Sequence, residues 1–344
     1  MTNLKTSILI IYTGGTIGMI DDAETGSLVP FDFDHIMKQV PELNKFGYNL
    51  TTITFEKVVD SSDITPETWV HLAELIEKHY NDYDGFVILH GTDTMAYSAS
   101  ALSFLLENLS KPVVFTGSQL PIGTIRTDGK ENFISAIEIA AAQKNGKPLV
   151  PEVTIFFENI LYRGNRTIKH NADYFDAFRS YNYPELAKAG INIIYNHSAI
   201  NYPTAKQGLK VFHNIDTNVA ILKIFPGITP AVLNAYLNIE GLKGLILESY
   251  GSGNAPSEEW FIKIISKIVK SGIIVISVTQ CSAGSVEMGV YEASLGLIGA
   301  GVISGNDITT EAAVTKLMFL FGQNLTKNEI INCLSKSLRG EINA

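Results

Sequence analysis

The sequence predicts an α/β protein with a larger N-terminal and a smaller C-terminal α/β domain, each with a mainly parallel sheet flanked by helices. Three observations carry this: short β-branched runs alternate with helix-period segments, the alternation fades between about residues 183 and 217, and it then resumes to the C-terminus. The runs at 7–12, 51–58, 86–89, 112–116 and 153–157 read as strands, and 67–81, 98–108 and 131–143 as helices. Helix punctuation agrees. Thr65 stands where an N-cap belongs ahead of Pro66 and Glu67, and Thr326 with Glu329 has capping-box spacing. In the fading stretch Asn196, His197, Tyr202, Pro203 and Gly208 dilute the pattern as an interdomain connection does. Beyond it 219–224, 244–247 and 273–278 read as strands, and 229–238, 257–271 and 310–321 as helices. The expected division is an N-terminal domain over 1–190, a linker over 191–217 and a C-terminal domain over 218–344.

Composition narrows the function classes. A chain of 344 residues with 46% hydrophobic content buries a large core. With 26 basic against 35 acidic residues, net −9, and no basic run, it offers no phosphate-tracking surface, so no nucleic-acid partner is expected. The apolar run at 8–12 is too short for a signal-peptide core, and no apolar stretch reaches the ~18–20 residues of a membrane span. The expectation is a soluble, cytoplasmic protein without a membrane partner. Cys281 and Cys333 cannot build a disulfide framework or a self-sufficient zinc site, fit a reducing compartment, and read as small buried apolar side chains. The histidines are scattered, so neither a metal nor another cofactor is expected.

In parallel α/β sheets ligands bind beyond the carboxyl ends of strands, which singles out three segments. They are Thr13-Gly14-Gly15-Thr16-Ile17-Gly18, Asp60-Ser61-Ser62-Asp63 and His90-Gly91-Thr92-Asp93-Thr94. The glycines allow positive φ and let backbone N–H groups and a hydroxyl approach a ligand, yet the segment lacks both the dinucleotide fingerprint and the P-loop ending; alone, it reads as readily as a tight strand-to-helix turn. Asp60, Asp63 and Asp93 taken singly are plainer as helix-capping carboxylates. The combination says more. A small zwitterion needs a carboxylate for its ammonium and hydroxyl or N–H donors for its own carboxylate, and Asp93 and Ser61 meet that need.

A threonine nucleophile needs a base to take its proton. No Gly-x-Ser-x-Gly elbow is present. Lys169, in Arg163-Gly164-Asn165-Arg166-Thr167-Ile168-Lys169, follows the fifth strand run and can serve, although by itself it reads as a surface lysine. His90 closes an apolar run and reads as a satisfied core histidine.

Together with Gly85-Phe86-Val87-Ile88-Leu89, Thr116-Gly117-Ser118-Gln119, Gly253-Asn254-Ala255-Pro256 and Leu338-Arg339-Gly340-Glu341, these segments resemble the asparaginase/glutaminase family, specifically its cytoplasmic type I asparaginases, over essentially the whole chain. The resemblance implies an L-asparaginase that hydrolyses L-asparagine to L-aspartate and ammonia through an acyl-threonine formed on Thr16. Thr92, Asp93 and Lys169 match the family's second catalytic group. Ser61 and Asp93 match the positions that hold the substrate's α-carboxylate and α-ammonium, with Asp60 and Ser62 flanking the pocket. It also implies a homotetramer or homodimer in which Asn254 acts across an interface.

Two departures stand out. The family's loop tyrosine has no counterpart in Glu24-Thr25-Gly26-Ser27-Leu28-Val29-Pro30, which leaves Tyr291, resembling a C-terminal-domain tyrosine of type I members, as a candidate for its role. Where some bacterial members carry an effector-binding arginine before Ser-Tyr-Gly, this chain has Glu248, which reverses the charge, so no asparagine cooperativity is expected there. The alternatives are a glutaminase-asparaginase of broader specificity, a non-catalytic amino-acid-binding protein, and an amidotransferase subunit acting on charged tRNA, which the net charge disfavours.

Overall fold

The first apolar run forms strand β1, Ser7–Tyr12, in which every residue after the first is buried, as a central strand of a parallel sheet requires. The computed structural model describes residues 5–21, 28–30, 39–203, 207–289 and 292–343. The chain divides into two units, Met1–His213 and Asn214–Ala344. The first holds β2 (Asn49–Thr54), helix α1 (Pro66–His79), β3 (Gly85–Leu89), α2 (Met95–Leu105), β4 (Val113–Thr116), α3 (Gly129–Ala141), β5 (Val153–Phe157) and β6 (Ile160–Arg163), then a short ribbon of β7 (Ile168–Lys169) with β8 (Phe178–Arg179), and β9 (Ala187–Lys188) and β10 (Ile194–Tyr195).

The large sheet has the order β10-β9-β6-β5-β4-β3-β1-β2. Its five strands from β2 to β5 are parallel, and β6, β9 and β10 extend one edge antiparallel. β10 lies inside the stretch where the periodicity fades, because a two-residue edge strand carries no period-2 signal. The chain leaves β1 toward β2 on one side and returns past it to β3 on the other, so the switch point of the sheet lies at β1.

One face packs Ile8, Ile10, Val87, Leu89, Val114 and Phe156 against Phe133, Ala136 and Ile137 of α3. The other carries α1 and α2, tied through Trp69 and Ser98 to His90. β3, β4 and β5 are parallel neighbours in chain order while α2 and α3 lie on opposite faces, so one of these two crossovers has the left hand that β–α–β units rarely take.

The second unit holds β11 (Val219–Lys223), α4 (Pro230–Leu237), β12 (Gly244–Ser249), α5 (Glu259–Lys270), β13 (Ile274–Thr279), α6 (Glu292–Ala300), β14 (Ile303–Ser304), α7 (Thr310–Gly322) and α8 (Lys327–Leu334). Its sheet is all parallel in the order β11-β12-β13-β14. α5 supplies Phe261, Ile264, Ile265 and Ile268 to the core of this unit. The capping box at Thr326 and Glu329 is formed, whereas Thr65 takes its N-cap position without a side-chain capping bond. Cys281 is exposed, in the turn after β13, and Cys333 is half-buried, so neither is the fully buried filler that composition suggested. Among the described residues no helix is long and apolar enough to cross a membrane, and no cluster of metal-ligating side chains occurs.

Candidate active site

The three segments singled out in the sequence leave the carboxyl ends of β1, β2 and β3, and backbone bonds stitch them together. Thr13 donates from its N–H and its hydroxyl to the Leu89 carbonyl, both at 3.0 Å, and the Val59 N–H donates to the Thr13 carbonyl at 2.8 Å. Glycines make the approach close. A Cβ on Gly14 would lie 2.1 Å from the Val59 carbonyl oxygen, and one on Gly15 2.4 Å from the Gly91 nitrogen. One on Gly91 would lie 2.5 Å from Ser61 Oγ. Gly14 and Gly15 also adopt φ of 138° and 94°, conformations that other residues reach only with strain.

Thr16 opens a 3₁₀ turn, Thr16–Gly18, directly after this contact, is half-buried, and its hydroxyl bonds to nothing among the described residues. Ser61 is buried; its Oγ accepts from the Asp93 N–H at 3.3 Å and its carbonyl from the Thr94 hydroxyl at 2.6 Å. Asp60 caps the turn Ser61–Asp63: its Oδ1 accepts from the Ser62 N–H at 2.8 Å and from the Ser62 hydroxyl at 2.7 Å. These bonds, the backbone one first, hold its carboxyl below the usual carboxylate range.

Lys169, at the end of β7, reaches the third segment. Its Nζ donates to Thr92 Oγ1 at 2.8 Å and to Asp93 Oδ1 at 2.6 Å, and its side chain is 17% exposed against 63% for Asp93. The turn that precedes it, Gly164–Arg166, is anchored beneath by the buried Arg163–Glu152 pair at 2.6 Å and by both arginines stacked on the Tyr183 ring. Thr92, Asp93, Lys169 and Ser61 therefore form one bonded cluster, with Asp60 and Ser62 on its flank. Gln119 carries no signal in the sequence beyond the motif Thr116-Gly117-Ser118-Gln119, yet the Thr92 hydroxyl donates to its Oε1 at 3.1 Å.

His90 is fully buried, with Nδ1 at 2.7 Å from the Gly91 carbonyl and Nε2 at 2.9 Å from Ser98 Oγ. It is a core residue behind the site. Asn254 lies in the second unit, in the turn after β12, where its N–H donates to the Tyr250 carbonyl at 2.8 Å and its buried Oδ1 has no partner among the described residues. Tyr291 and the loop residues 22–27 lie outside the described residues.

Comparison with known proteins agrees in both halves of the chain. Residues 7–201 match the family model described as asparaginase, N-terminal, and residues 218–334 that described as glutaminase/asparaginase C-terminal domain. L-asparaginase 1 of Escherichia coli is 46% identical over 98% of each chain. The crystal structure of L-asparaginase I from Vibrio cholerae superposes with a TM-score of 0.88 at 40% identity, covering 99% of this chain and all of that one. The 60 kDa lysophospholipase of Mus musculus is 39% identical over 97% of this chain and 62% of its own length. Fold and relatives thus define an α/β amidohydrolase. Within that class the chain belongs to the asparaginase/glutaminase family and is similar to its type I L-asparaginases.

Proposed function

We propose that this protein hydrolyses L-asparagine to L-aspartate and ammonia with Thr16 as nucleophile. The observation that carries the reading is the Lys169 ammonium bridging Thr92 and Asp93 beside the glycine contact that presents Thr16. In the first step Thr16 Oγ bonds to the amide carbon, the C–N bond breaks, and nitrogen leaves as ammonia with the added proton. Water then bonds to the same carbon, the ester C–O bond breaks, and Thr16 recovers its proton. Lys169 and Thr92 relay these protons, a role for which geometry comes before proton affinity. N–H groups of the Gly91–Thr92 turn face the developing oxyanion in this scheme. Asp93 and the ionised Asp60 suit an α-ammonium, and Ser61 with Ser62 suits an α-carboxylate. No step needs a metal or another cofactor.

We place this activity in the cytoplasm and in a homotetramer or homodimer, with Asn254 serving a site completed by a second copy; its buried Oδ1, without a partner among the described residues, supports that role. Glutamine is longer by one methylene, a difference that pockets resolve by only ~10–200-fold, so broader specificity is a matter of degree. The test is ammonia release from asparagine and glutamine by the parent and by Thr16→Ala. Release that falls to background in a folded Thr16→Ala supports the reading; a variant as active as the parent overturns the nucleophile, and an inactive parent overturns the activity.

A further inference from the structure

We infer that Gln119 is a positioning residue that fixes the direction of the Thr92 hydroxyl proton and so decides how Lys169 can engage it; this rests on the proposed roles of Thr92 and Lys169. The Gln119 amide is held by two backbone carbonyls. Its Nε2 donates to Ala172 O at 3.1 Å and to Tyr174 O at 3.2 Å. Carbonyl oxygens only accept, so turning the amide over would lose both bonds and set oxygen against oxygen. The Oε1 therefore faces Thr92, and because it has no proton the Thr92 hydroxyl must donate to it. Thr92 has one proton. With that committed, its contact to Lys169 requires Lys169 to be the donor.

The strut itself is braced. The Gln119 N–H lies 3.1 and 3.0 Å from the two Asp128 oxygens, and the Leu120 N–H donates to Asp128 Oδ1 at 3.2 Å. Asn132 Nδ2 donates to Asp128 Oδ2 and to the Gly117 carbonyl. Ala172 and Tyr174 belong to the loop between β7 and β8, so Gln119 also ties the Lys169 arm to the Thr92 turn. Passing a proton from Thr92 to Lys169 then requires the hydroxyl to rotate off Gln119. As long as it stays there, Thr92 offers Lys169 only an acceptor. The charged groups bearing on this contact are Lys169, Asp93 and, through the Gln119 backbone, Asp128.

The experiment uses the full-length protein, with kcat/KM for asparagine followed against pH in the parent, Gln119→Met and Gln119→Glu. Gln119→Met removes the acceptor, frees Thr92 to donate to the amine, and moves the acid limb to lower pH by about 0.5–1 unit. Gln119→Glu keeps an acceptor, adds a negative charge beside Lys169, and moves the limb the other way by a similar amount. Both lower kcat at least severalfold because the two bonds to the loop carbonyls are lost in each, and thermal melting confirms that each is folded. Opposite shifts support the inference. Profiles superimposable on the parent's, or shifts in the same direction, overturn it, since a merely structural strut does not move the limb in a charge-dependent sense. A parent without ammonia release, or a Lys169→Met variant of full activity, overturns the underlying catalytic reading and this inference with it.

Discussion

His90 gives the sharpest physical test of the site's foundation. Burial pushes its imidazole down to about 4 from 6.5, against the opposing effect of the bond to the Gly91 carbonyl. The hydrogen bonds fit a neutral ring. With the proton on Nδ1, His90 donates to Gly91 O, Ser98 donates to Nε2, and Trp69 Nε1 donates to Ser98 Oγ at 2.9 Å. A second ring proton would displace the Ser98 proton into an apolar interior. Because the folded value is depressed, the unfolded chain binds the proton first, so folding stability falls as pH drops below 6.5 and levels off below about 4. The interval corresponds to roughly 3 kcal/mol, about 2 kcal/mol of it lost by pH 5.

Histidine ¹³Cε1 labelling reads this directly, since the chain has seven histidines and His90→Gln assigns the signal by its loss. The expected result is a His90 resonance that keeps its neutral shift at pH 5, where an ordinary imidazole is almost fully charged. Urea unfolding of parent and variant gives the energetic counterpart: their stability difference narrows by about 2 kcal/mol between pH 6.5 and pH 5. A signal that titrates near 6.5 would refute the burial argument and the proton assignment built on it.

Further expectations follow from the site and the core. Gly15→Ala drives a Cβ to 2.4 Å from the Gly91 nitrogen at a φ of 94°, so the two loops must part; a shift of about 1 Å lowers kcat/KM by ~10²-fold, and near-parent turnover would refute the nested-loop account. Lys169→Met lowers kcat by ~10²–10⁴-fold with the fold retained, whereas a change of only a few-fold would remove the lysine from the relay. Lys316→Met strands the Glu341 carboxylate, 2.6 Å away with both side chains fully buried, and costs about 3–5 kcal/mol in urea unfolding; adding Glu341→Gln restores part of it, and a single-variant loss under ~1 kcal/mol would contradict the pairing. The rate curve for asparagine is hyperbolic, because Glu248, which accepts from the Thr310 hydroxyl at 2.8 Å and lies 3.4 Å from Lys223, offers an effector's carboxylate a negative charge; a sigmoidal curve would refute this.

The alternation of apolar runs was enough to read the parallel core, since β1, β3, β4 and β5 are buried runs between helices. Less was legible where pattern is weak. Helix α2 begins at Met95, ahead of the expected 98, because almost all of it is buried, including Ser98, Ser100 and Ser103, and a helix buried all round has no polar face to mark its phase. β9 and β10 are two residues each, too short for alternation to register. Nothing in the local sequence marks Lys316 or Arg166 as buried; each is enclosed by residues far away in the chain.

The site divides along the same physical line. Gly14, Gly15 and Gly91 are recognisable because a Cβ at any of them would meet backbone or Ser61 well inside contact distance, so geometry leaves one residue type, and a motif built on such positions survives as a motif. Ser61, Thr92 and Asp93 stand within those segments and become legible with them. Lys169 is different: it comes to Thr92 over 77 positions, from a ribbon whose course depends on the Arg163–Glu152 anchor, and its local sequence, though it follows a strand run, reads as readily as a surface lysine until the resemblance assigns it a role. Gln119 is the furthest case. Its effect depends on which end of an amide faces Thr92, which two carbonyls over fifty positions later decide. Segments that must lie close enough to exclude a side chain announce themselves in sequence, while groups that set the direction of a proton are found only once their acceptors are in place.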